Sequence, residues 1–583
     1  AVISLENGDY VVRRNGQVIE ASVASNAQVV SISGDIAINA KSAKNNNGGI
    51  VAQKGALVFN IDELFENNGM VNASGKLTVN TRAFENKGII FADSQLINTG
   101  SFENAGGFYA QNAIDVTTDS LVNSGEMSST DSDILLNVNG TTANNSGGIS
   151  ASNITINQKN QADKSAVFSN TGRIDTSNSL HVNSDSMHNS GKVTVGATAD
   201  LALTKELRNT GDAAQIIAAQ DILIHSNLAD HALNVFNEAG WIQANNLYIS
   251  DIDTFSNSAN ATLMATNEIK LENLNNIFND DSLIKADSVL LSHIQNLSNT
   301  QDSVIEGTGN LVITDVNTLV NDKSSLQSDG DVTISNVTNL NNTNGLISAS
   351  GSLNIKNVES LINTAMSTIQ AANNFLISNV TTLKNSDGSV LSSQDTMTLD
   401  AVKNILNDAT GEIVSENALN IAHADYIENA GRIQSNSNLS IKDVITLLNT
   451  GESALIAGLD NLTIENISNL SNTDKAAISA GLQLVLNSID TLINNAALIQ
   501  SEDGMTINAS NLKNVAGNIQ SYGDIVLNIT HALENLSASG IDEYGNPAVF
   551  GGNLLADGTI DIHAETLVNN SEINATNILI NAR

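Results

Sequence analysis

The chain is 583 residues long, 41% hydrophobic, 3% aromatic and 15% charged, with one proline and no cysteine. So much apolar content with so little charge excludes a disordered chain, and the even supply of Gly, Asn, Ser and short aliphatics argues against a string of compact domains. The formal net charge of −37, from 25 basic and 62 acidic residues, leaves no basic footprint for nucleic acid, and the lack of thiols fits export through an oxidising compartment.

In chain order, residues 1–36 read as amino-terminal strands forming a partial rung or cap. Tyr10-Val-Val-Arg-Arg, then Asn15-Gly16, then Gln17-Val-Ile, predicts a hairpin about the Asn-Gly pair. The first residues lack the basic and apolar regions of a signal peptide, and no apolar run reaches membrane-spanning length, so any export signal is expected outside the segment.

Residues 37–535 carry a repeat. Its phrase is an aliphatic residue or Phe, any residue, then Asn, often with Gly two positions later. The anchors begin at Asn46, Asn67, Asn86 and Asn104 and continue to Asn535 and Asn569. Most gaps are about 18 to 23 residues, a solenoid period. Between anchors, Gly345 is followed by Ile347, Ala349, Leu353, Ile355, Val358, Leu361 and Asn363. Gly431 is followed at the same offsets by Ile433, Ser435, Leu439, Ile441, Val444, Leu447 and Asn449. Apolar residues stepping by two, without an i, i+3, i+4 stripe, are strand periodicity.

Each repeat then holds three short strands and cannot bury its own apolar face, so consecutive repeats must stack. The expected fold is all-β, a right-handed parallel β-helix (solenoid) of roughly 25 rungs. Proline would cost ladder hydrogen bonds, and a narrow core repeating at about 4.8 Å favours branched aliphatics over aromatics. The recurring Asn, two residues after an inward aliphatic, should also point inward. Asn363, Asn385, Asn407, Asn429 and Asn449 are therefore expected to form a structural amide ladder. Residues 536–552 read as a protruding loop, and residues 553–583 as further, truncated rungs. Shorter excursions are expected before Asn170 and Asn237.

Phe84-Glu-Asn-Lys-Gly88-Ile-Ile-Phe-Ala92 and Ile427-Glu-Asn-Ala-Gly431-Arg-Ile-Gln-Ser435 resemble the haemagglutinin repeats of filamentous haemagglutinin and related large two-partner-secretion exoproteins. The resemblance covers nearly the whole chain. It implies a Gram-negative exoprotein, secreted or held at the outer cell surface and exported by an outer-membrane two-partner-secretion transporter. It further implies a host-cell or bacterial surface receptor or glycan as target, with adhesion, contact-dependent growth inhibition or haemolysis as the activity. Neither the Asn-Pro-Asn-Gly motif of the family's secretion domain nor the Val-Glu-Asn-Asn motif that precedes some toxin domains occurs. The segment therefore reads as a structural shaft, and an autotransporter adhesin passenger is a further reading with the same fold.

The rival class is a β-helical polysaccharide-active enzyme, which needs clustered carboxylates. The pairs Asp131/Asp133, Asp251/Asp253 and Asp280/Asp281 read as solvated turn chemistry. Eight histidines without cysteine or a His-Glu-x-x-His arrangement predict no metal site, and no phosphate or dinucleotide fingerprint predicts a cofactor. Binding, if any, is assigned to the surface. Phe91 and Tyr109 occupy one outward column of consecutive repeats and are expected to stack, Trp241 should face outward, and Tyr544 and Phe550 sit in the long loop.

Overall fold

The period-two apolar pattern is realised as strand. In the computed structural model, which describes residues 2–4, 10–14, 17–23, 26–158, 165–228, 232–541 and 544–582, every helix-length or strand-length element among the described residues is a β-strand. The chain divides into two units, Ala1–Asp287 and Ser288–Arg583. Each is a stack of parallel strands paired in register with the preceding and following turns.

One rung of the second unit shows how sequence becomes shape. The short strand Leu346–Ala349 buries Ile347 and Ala349, and the long strand Leu353–Thr364 buries Leu353, Ile355, Val358, Leu361 and Asn363. Strict alternation would put Asn357 inside after Ile355. Instead Asn357 takes a left-handed φ of 56°, which bends the strand and shifts the alternation so that Val358 faces the core. The expected second and third strands are thus one strand with a corner in it. Positions at the same corner on successive rungs, Asp315, Asn336, Asn357, Asn379, Ala401, His423, Asp443, Asn466 and Ser488, all have φ of 54–58°. This conformation costs an ordinary L-residue about 1 kcal/mol or more, and Asn and Asp tolerate it best. The exposed amides there bond back along the stack, Asn336 to Asp315 at 2.9 Å, Asn357 to Asn336 at 2.9 Å and Asn466 to Asp443 at 2.6 Å.

The first unit opens on antiparallel pairing. Val2–Ser4 pairs with Tyr10–Arg14, which pairs with Gln17–Val23; the predicted Asn15-Gly16 turn lies outside the described residues. Glu20 through Val23 then pair in parallel with Ser42 through Asn45, and stacking begins. Its core holds what composition argued against. Phe59, Phe65, Phe84 and Phe102 are buried and stacked in sequence, with ring centroids 4.3, 5.0 and 5.1 Å apart. Phe59 and Phe65 share a rung, and Phe65, Phe84 and Phe102 are register partners on successive rungs, where face-to-face offset stacking matches the strand spacing of about 4.8 Å.

A column of glycines fixes the corner after each buried Asn in this unit. A β-carbon added at Gly88, Gly106, Gly125 or Gly147 would stand 1.9–2.0 Å from the carbonyl oxygen of the equivalent glycine one rung earlier. Backbone packs on backbone there, and only glycine fits.

The expected loop at 536–552 has structure of its own. Ala538–Ile541 and Pro547–Phe550 form an antiparallel two-stranded ribbon, after which Asn553 resumes parallel register with Asn518. The excursions before Asn170 and Asn237 contain residues 159–164 and 229–231, which lie outside the described residues.

Candidate functional site

The most extensive polar construction is the buried Asn column. Asn363 is fully buried, accepts from Asn342 Nδ2 at 2.8 Å and donates to Asn385 Oδ1 at 2.9 Å. Asn385 donates to Asn407, Asn407 to Asn429 and Asn429 to Asn449, each at 2.8 Å. Each amide also reaches backbone carbonyls at the turn: Asn363 donates to Val390 O at 3.1 Å and Asn429 to Leu455 O at 3.1 Å. An amide suits the position because it offers both a donor and an acceptor, so one residue per rung passes the chain of hydrogen bonds onward. In the first unit the row runs from Asn45 through Asn67, Asn86 and Asn104 to Asn279. Asn46, the expected first anchor, is not in the row. Its neighbour Asn45 is buried and donates to Asn67 at 2.8 Å, while Asn46 bonds Ser22 Oγ at 3.2 Å. Three consecutive asparagines before Gly48 make the phrase fit two registers.

Phe91 and Tyr109 are opposite partners in adjacent strands, and Phe91 is 40% exposed. Among the described residues no ring contact joins them. The Tyr109 ring lies back along its own strand over Gly107, where an added β-carbon would be 2.4 Å from a ring carbon. Glycine's missing side chain is a berth for the ring, a competitor that column counting does not reveal. Trp241 is on the surface, and its Nε1 donates to Gln243 Oε1 at 3.0 Å. Tyr544 and Phe550 are on the ribbon, with Ile541 and Val549 also exposed.

Two of the three carboxylate pairs, Asp131/Asp133 and Asp251/Asp253, are engaged along the stack. Asp133 accepts from Asn153 Nδ2 at 2.7 Å, Asp131 from Gln111 and Asp253 from Asn275 at 2.7 Å. Among the described residues no group of three or more His, Asp or Glu is arranged to hold a metal ion.

One titratable cluster escaped the sequence reading. Asp200 is gripped from both sides, by His181 Nδ1 at 2.9 Å and His225 Nε2 at 3.0 Å. These residues lie on successive rungs: His181 is the register partner of Asp200, and His225 follows on the next strand. Donation to the Asp200 carboxylate raises the His225 pKa above its ordinary value, and accepting that bond holds Asp200 below the usual carboxylate range. The 19-residue spacing is one rung in register, whereas His225, 25 residues on, is the register partner of Ala202 and reaches Asp200 from two positions further along its strand. Comparison with protein-family models, with curated proteins and with solved structures finds no match to the chain.

Proposed function

We propose that the chain is the structural shaft of a secreted or cell-surface bacterial exoprotein, an adhesin or contact-dependent inhibition filament. It would extend a binding or toxin-delivery region away from the cell and catalyse no reaction. The observation that supports this reading is the continuity of the buried amide row, from Asn45 to Asn279 in the first unit and from Asn299 to Asn535 in the second. Each rung commits its buried polar capacity to the next rung, which is what a scaffold of repeated units requires. Export through an outer-membrane partner transporter and a surface receptor or glycan as target belong to the same proposal and rest on the repeat phrase.

The test is made in the parent bacterium. Antibody raised against residues 345–450 is expected to label intact cells or the culture medium, and deletion of the cognate transporter is expected to abolish the label. Purified chain is expected to release no reducing ends or unsaturated products from a panel of polysaccharides. Labelling only after lysis, or sustained turnover of one polysaccharide, would overturn the proposal.

A further inference from the structure

The second unit carries a surface groove. It encloses about 410 Å³ along the outer face of the strands Leu498–Ser501, Asn518–Ser521 and Asn553–Ala556. That volume is in the range of small-molecule pockets. The floor follows one outward column, Gln500, Gln520, Leu555 and Asn574, which are register partners on consecutive rungs. Gln500 donates to Ser479 Oγ at 3.1 Å and Gln520 to Gln500 Oε1 at 3.2 Å. The amide relay ends at Gln520, whose own Oε1 takes no protein donor among the described residues. Leu555 interrupts the polar column with an apolar patch.

The wall is a corner column. Tyr522 donates its backbone N–H to Ser501 O, and Asp557 donates to Ser521 O; Glu502, Tyr522 and Asp557 therefore succeed one another at the same corner. The equivalent corner positions on the preceding rungs are Gln394, Glu416, Asn436, Leu459 and Gly481. Tyr522 is the aromatic exception, and its side chain stands 69% exposed where nothing in the fold requires a ring.

We infer that this groove binds the pyranose ring of a neutral hexose. A hexopyranose has an apolar C–H face and a rim of hydroxyls. The Tyr522 ring and Leu555 match the face, and the free Gln520 carbonyl accepts from a hydroxyl on the rim. Glu502 and Asp557, both exposed carboxylates, accept further hydroxyl protons and repel uronic, sialic and sulfated sugars. The inference concerns ligand chemistry on the purified chain and does not rest on the shaft reading.

Ligand-observed NMR and calorimetry with the full chain test it, using the methyl glycosides of glucose, galactose and mannose beside glucuronic acid. At least one neutral glycoside is expected to bind saturably, and glucuronic acid is not. Tyr522→Ser and Gln520→Ala are each expected to weaken that binding by about fivefold or more, the scale of a lost ring contact or hydrogen bond. Tyr522→Phe keeps the ring and is expected to retain it, and Phe91→Ser in the first unit is expected to leave it untouched. The inference is overturned if none of the three glycosides binds, if glucuronic acid binds as tightly, or if folded Tyr522→Ser binds as wild type does.

Discussion

At the scale of single residues, the amide row makes the firmest demand. Replacing Asn363 with Leu removes the acceptor of Asn342, the donor to Asn385 and the acceptor of Ser367 Oγ, which lies at 2.7 Å. Loss of these buried partners is expected to cost about 1–3 kcal/mol, visible as faster hydrogen exchange in the rungs on either side of residue 363. The Asp200 cluster carries a pH dependence with a definite sign. His225 has a raised pKa, so its contribution is complete below its ordinary value and fades as pH rises through the raised one. Asp200 has a depressed pKa, so its contribution is complete above its ordinary value and fades as pH falls through the lowered one. Between those limits, Asp200→Asn is expected to lower the melting temperature, and the difference from wild type is expected to shrink from pH 6 to pH 8. Because the three side chains are 36–38% exposed, the effect should not exceed about 1 kcal/mol. The inward Asn column was legible because its phrase fixes a residue two positions beyond a core aliphatic. The histidine pair was not, since its members join residues one rung away and no local phrase marks them.

At the scale of the element, the two kinds of corner differ in what they require. Gly125→Ala would drive a β-carbon to 2.0 Å from Gly106 O, so adjacent rungs must separate, at a cost of about 1–3 kcal/mol or more. Gly34→Ala meets only Ser31 Oγ at 3.7 Å and is expected to be neutral. Thermal unfolding of the two variants against wild type checks both outcomes. The glycine corner could be read in the sequence as Asn-x-Gly. The left-handed corner could not, because Asn357, Ala401, His423 and Ser488 share no side-chain chemistry. The stack imposes the bend there, and the residue type only sets its cost. The phenylalanine stack has a similar lesson. The phrases around Phe65, Phe84 and Phe102 place rings at the inward position of successive rungs, and mutual stacking makes acceptable as a set what overall composition made improbable singly.

For the molecule as a whole, the in-register repeat makes the rung the natural unit of insertion and deletion. Removing residues 346–367 joins Gly345 to Thr368, the register partner of Leu346, and offers Asn342 the acceptor of Asn385 in place of Asn363. That variant is expected to fold with one rung fewer and unfold cooperatively. Removing residues 346–356 takes away the register partners of Thr368–Ala371 and of Phe375 through Ser378 and is expected to yield soluble aggregates or no folded product. Circular dichroism with thermal melting separates the two. Parallel strand class and stacking were legible at this scale because the period runs on through the chain. The division at Asp287 and Ser288 was not, for no Gly or Pro lies between residues 261 and 300 to mark it. The amide rows also have direction. Each inner Nδ2 points toward the carboxyl end, as from Asn407 to Asn429, whereas the outer corner amides point toward the amino end, as from Asn357 to Asn336. Each solenoid thus holds opposed files of dipoles, an antiferroelectric order in which the interior row is polarised one way and its exposed counterpart the other. The two faces of such a stack are chemically unlike, one offering interior donors and the other interior acceptors, so two copies brought together at like faces would set donor against donor or acceptor against acceptor.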